Sequence, residues 1–70
     1  MLTESVIRKA NQLSANFSYQ GDDRAAESVA AHMKSFWPPT ERHELFRLVD
    51  DHDGRLRPIA VAAAERLRAE

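Results

Sequence analysis

The sequence predicts an all-α fold, a small bundle of about four short helices. Two observations carry that prediction. Apolar residues recur at helical spacing, and no segment alternates with period two as a half-buried strand would. The chain also has only two Gly and three Pro, and all five punctuate, dividing it into four helical segments.

Thr3 is placed to cap a first helix of about Glu4 to Tyr19. Val6, Ala10, Leu13 and Phe17 make its apolar stripe, with Ile7 and Ser14 on one shoulder. Asn11 borders that shoulder and Gln12 points away from it. Gly21 supplies a left-handed end. Asp22 or Asp23 then caps a second helix of about Arg24 to Trp37. Its apolar residues are Ala25, Ala26, Val29, Ala30, Met33, Phe36 and Trp37, spread over an arc of roughly 140°. Pro38 and Pro39 stop it. Thr40 caps a third helix of about Glu41 to Asp51, with Leu45, Phe46, Leu48 and Val49 on its inner face. A polar turn, Asp50-Asp51-His52-Asp53-Gly54, follows. Pro58 opens the fourth helix, about Pro58 to Ala69, which turns Ile59, Ala60, Ala63 and Leu67 inward.

Seventy residues predict one domain. A core of that size supplies only about 3–5 kcal/mol, so small chains usually need a staple. The absence of Cys excludes disulfides and thiolate metal sites and fits a reducing compartment. Association with a partner is the staple left. Ten Lys+Arg against eleven Asp+Glu give a net charge of −1, with the signs interspersed. That balance lacks the electrostatic footprint of a nucleic-acid binder. Met1 to Ala10 holds no unbroken apolar run, so no signal peptide is expected. No stretch approaches the roughly 20 apolar residues of a membrane span. A soluble, cytoplasmic protein is the expectation.

Catalytic chemistry finds little support. His32, His43 and His52 do not share a metal-ligand spacing on one helix. Asp50, Asp51 and Asp53 before Gly54 lack the 12-residue calcium-loop pattern with its late Glu, and read as a solvated turn. His32, at the edge of the apolar arc, reads as a packing residue and His43 as exposed. His52 is placed to meet the last carbonyls of the third helix. There is no glycine-rich phosphate loop, and no nucleophile has a base partner. No cofactor and no metal are expected in this chain.

Phe36-Trp37-Pro38-Pro39 is the most informative short stretch. The wide arc on the second helix exceeds what one small core uses. The plain reading is a helix end whose aromatics fill the core, with Pro as the stop signal; the sharper one has one aromatic inside and one toward a partner, since large aromatics anchor interfaces. Pro38 fixes the chain direction just beyond Trp37, which places Phe36 in the core and leaves Trp37 partly exposed.

Two stretches together resemble a known family. One is Ile7-Arg8-Lys9-Ala10-Asn11-Gln12-Leu13, followed by Ala15-Asn16-Phe17. The other is Val29-Ala30-Ala31-His32-Met33-Lys34-Ser35-Phe36-Trp37, with Pro39 two residues on. The pair is similar to the delta subunit of soluble, NAD-dependent, molybdenum-containing formate dehydrogenases. The tail is similar in layout: Leu48-Val49, the turn through Gly54, then Pro58-Ile59 and an Ala-rich helix. The chain departs from the family at Pro38-Pro39-Thr40-Glu41, where Phe-Trp is usually followed by Asp-Pro-Arg-Met. The basic residue after the Pro is missing, and with it any salt bridge that residue makes. The turn is also poorer in Gly.

The resemblance implies a non-catalytic accessory subunit that binds the larger formate dehydrogenase subunits and supports assembly or stability. Those subunits would carry a molybdenum–pterin centre, iron–sulfur clusters and flavin, and would use NAD. The candidate partner contacts are the motif residues Asn11, Gln12, His32, Phe36, Trp37 and Pro39. The rival readings are an unrelated helical adaptor or homo-oligomer, and a helix-turn-helix DNA binder. The charge balance argues against the second.

Overall fold

A computed structural model describes residues 1–70. It contains four α-helices and no strand. They are α1 (Leu2–Phe17), α2 (Asp22–Phe36), α3 (Pro39–Asp50) and α4 (Pro58–Ala69), with a 3-10 turn at Ser18–Gln20 after α1.

Each helix begins differently from the capping pattern in the sequence, except α4. α1 starts at Leu2, so Thr3 lies inside its first turn, and its hydroxyl donates to Glu44 on α3 instead of capping. α2 starts at Asp22 with Gly21 before it, and neither Asp22 nor Asp23 is the cap. Both carboxylates sit in the first turn, where they complement the positive end of the helix dipole. α3 starts at Pro39, two residues before the expected Glu41, and Thr40 is within it. The first helical position suits Pro because it needs no N–H there and its φ is already helical. Pro38-Pro39 is thus both the stop of one helix and the start of the next. At the other end, α1 stops at Phe17 and tightens into the 3-10 turn. Gly21 (φ 88°, ψ 156°) then takes a conformation essentially confined to Gly.

α2 packs most extensively on α4. The two run parallel: Asp22 and Asp23 lie beside Pro58 and Ile59 at one end, and Lys34 reaches Glu70 at the other. The buried alanines Ala25, Ala26 and Ala30 of α2, and Ala60, Ala63 and Ala64 of α4, let the helices approach closely. α1 and α3 complete the bundle. The core is one cluster that includes Val6, Ile7, Ala10, Val29, Met33, Trp37, Leu45, Leu48, Leu56 and Leu67. On α1 the buried seam is Val6, Ile7, Ala10 and Ser14, while Leu13 and Phe17 are only half-buried. The expected stripe is therefore rotated toward its Ile7–Ser14 shoulder. Ser14 tolerates burial because its hydroxyl donates to the Ala10 carbonyl.

Phe36 and Trp37 are the reverse of the expectation. Trp37 is 5% exposed and belongs to the core, whereas Phe36 is 72% exposed. Pro38 is the cause. The residue before a Pro is pushed out of the helical region, and Trp37 adopts φ −89°, ψ 135°. Its side chain thereby leaves the helical wheel and joins the core cluster. Phe36, the last helical residue, stays on the wheel at an edge that no element covers.

α3 ends in a Schellman motif. His52 is in the left-handed region (φ 53°). Its N–H donates to the Val49 carbonyl, and that of Asp53 donates to the Leu48 carbonyl. His52 meets the last carbonyls through its backbone.

Candidate functional site

Three of the six candidate contact residues share one surface groove. It lies between α1 and the C-terminal turns of α2, and it is lined by Arg8, Lys9, Gln12, Leu13, His32 and Trp37. The α1 residues reach it together because Arg8 and Gln12, like Lys9 and Leu13, are four apart and share a face. Its volume of about 280 Å³ lies just below the roughly 300–1,000 Å³ of a small-molecule pocket.

Its floor and rim have different chemistry. Trp37 and Leu13 provide apolar surface, and Lys9 Nζ sits 5.0 Å from the Trp37 ring centroid, within cation–π range. Lys9 also pairs with Glu41 of α3, so one ammonium ties α1 to the start of α3 while covering the indole. Gln12 is exposed, and its amide donates to Asn16. His32 is half-buried, with its ring 4.8 Å from that of Phe36, one helical turn on. Phe36 is therefore tied to the groove through His32 but is not part of its lining. Pro39 is exposed at the first turn of α3, next along the chain from this region.

Asn11 is turned to another task. Its Nδ2 donates to the Arg55 carbonyl at 2.8 Å, and its Oδ1 accepts from the Arg57 N–H at 2.9 Å. The side chain thus imitates a backbone strand and holds the α3–α4 loop against α1. Leu56, between those two contacts, is buried in the core.

The acidic turn is equally committed. Asp50 pairs with Arg68, Asp51 with Arg47, and Asp53 with Arg55. No three His, Asp or Glu side chains gather into a group that could hold a metal ion. The Arg55 side chain and its N–H hold the Asp53 carboxyl at about 2, below its ordinary 3.8. The Arg47 guanidinium, with the Thr3 hydroxyl, holds Glu44 at about 2 against an ordinary 4.5. The Arg68 guanidinium lowers Asp50. His43 is exposed beside Phe46.

Sequence reasoning did not pick out Arg8 and Lys9 as site residues, nor Leu56 as core. Arg8 and Lys9 were visible in the i, i+4 pairing with Gln12 and Leu13. Leu56 was visible as the one apolar residue between Val49 and Pro58.

Fold and site together define a class: a small helical domain whose candidate contacts are an exposed aromatic and a half-apolar, half-basic surface groove. No helix is long and apolar enough to cross a membrane. The family model described as FdsD, the NADH-dependent formate dehydrogenase delta subunit, matches residues 5–64, and the chain belongs to that family. No curated protein and no solved structure matches the chain.

Proposed function

We propose that this chain is a non-catalytic accessory subunit of a cytoplasmic, NAD-dependent formate dehydrogenase. It docks on the larger subunits and supports assembly or stability of the active complex. The observation that carries this reading is the match to the delta-subunit family over residues 5–64. The exposed Phe36, against the groove residue His32, supports it, because an apolar ring left in water favours a protein contact. In this reading Gln12, His32, Phe36, Trp37 and Pro39 form or underlie the contact face, and Asn11 acts through the fold. The molybdenum–pterin centre, the iron–sulfur clusters and the flavin lie in the other subunits, where formate is oxidised and NAD reduced. The lack of Cys in this chain supports that division, since thiolates are the usual cluster ligands.

The test is co-expression of the larger subunits with and without this chain, bearing a tag. The expected result is a stoichiometric complex on the tag, and less active formate dehydrogenase when the chain is omitted. Self-association of the chain with no dehydrogenase subunit attached would overturn the reading in favour of a homo-oligomer.

A further inference from the structure

We infer that the groove between α1 and the end of α2 receives an acidic segment of a partner protein that also carries a bulky apolar side chain. This deepens the proposed subunit role and rests on it. The argument is charge complementarity on a defined shape. The groove is lined by Arg8, Lys9, Gln12, Leu13, His32 and Trp37, so two cations and a histidine face it, and the carboxylate that reaches it, Glu41, is taken up by Lys9. The whole chain has a net charge of −1, so this basic surplus is local. Lys9 is shared with Glu41, but Arg8 is exposed and forms no ion pair. A guanidinium in that state presents a planar fork suited to a carboxylate.

The apolar half of the match is equally local. Phe36 is 72% exposed, and its ring packs at 4.8 Å on that of His32, which lines the groove. Leu13 is half-buried at the groove itself. An occupant that places a carboxylate on Arg8 and an apolar side chain against Phe36 and Leu13 satisfies both halves. A basic segment is repelled by the unpaired Arg8, and a purely polar one leaves Phe36 in water.

The experiment uses the full chain co-expressed with the larger formate dehydrogenase subunits. The variants are Arg8→Glu, Phe36→Ser and, as a control on an exposed site elsewhere, Arg24→Glu. All three positions are exposed, so circular dichroism is expected to show unchanged helicity. A photo-crosslinking residue replaces the exposed Gln12 to mark the occupant. The expected result is binding weakened about tenfold or more by Arg8→Glu and by Phe36→Ser, with Arg24→Glu near wild type. The crosslinked peptide should come from another subunit and contain Asp or Glu beside a large apolar residue. Changing that acid to Arg should restore binding to the Arg8→Glu chain.

Wild-type binding by both groove variants would overturn the inference while leaving the subunit role intact. A crosslink to a basic segment or to nucleic acid would do the same. Failure of the wild-type chain to bind any dehydrogenase subunit would overturn both.

Discussion

The side chain of Asn11 brackets Leu56. Its amide bonds the backbone on either side, at the Arg55 carbonyl and the Arg57 N–H, and Leu56 is driven into the core between them. A loop of seven residues, 51–57, is thereby fixed by one side chain from α1. Asn11→Ala removes both bonds. At about 1 kcal/mol each, the expected loss is about 1–2 kcal/mol. The check is the urea midpoint, together with faster exchange of the Arg57 amide. Asn11→Asp keeps the acceptor but loses the donor and sets a charge against a carbonyl, so it is expected not to rescue.

His52 holds the left-handed position that ends α3, a place where a side chain is strained and Gly is not. His52→Gly is expected to stabilise the chain by about 0.5–1 kcal/mol. For a domain of this size that raises the melting temperature by roughly 2–8 °C. A calorimetric scan of the two proteins measures it. An unchanged or lowered midpoint would contradict the strain argument.

The four helices were legible because apolar period and punctuation agreed in every segment. The family was legible from two spaced motifs, and of the motif residues singled out Gln12, His32 and Trp37 line one groove, which the sequence did not foretell. The helix starts were less legible, because side-chain capping competes with other uses. Thr3 serves Glu44, and Pro39 needs no cap. The helical wheel failed at Trp37, because a residue before Pro is no longer on the wheel. The Ala10-Asn11-Gln12 motif concealed a division of labour: Asn11 holds the fold, and Gln12 faces outward. Nothing within the α1 segment separates the two, because the partner of Asn11 lies more than forty residues along the chain.

Acid is expected to loosen the contacts of α3 and of the loop after it. Glu44 and Asp53 are held at about 2 and Asp50 is lowered, each by an Arg beside it. A carboxyl whose folded pKa is depressed adds stability that is present above its unfolded value and lost as pH falls through the folded one. Their contribution is therefore full above about pH 4.5 and fades between there and about pH 2. Melting temperatures from pH 6 to 2 should fall mainly within that window. Arg47→Gln, which frees Glu44, should flatten the fall. An equally steep fall in that variant would remove Glu44 from the account.

Phe36 and Trp37 should separate folding from exposure. Trp37 is buried in the core and covered by the Lys9 ammonium. Truncating a buried Trp costs about 3–5 kcal/mol, which is comparable with the whole stability of a chain this size. Trp37→Ala is therefore expected to lose most helical signal at 25 °C. Phe36 touches His32 and otherwise faces water. Surface changes are usually worth within about 0.5 kcal/mol, so Phe36→Ala should keep full helicity and a nearly unchanged midpoint. Lys9→Met tests the cover on the indole. It removes the cation and the pair with Glu41 but keeps most of the apolar stem, so a loss of about 0.5–2 kcal/mol is expected. Circular dichroism and denaturant titration on the three variants decide the matter. A folded Trp37→Ala beside an unfolded Phe36→Ala would reverse the assignment of core and surface.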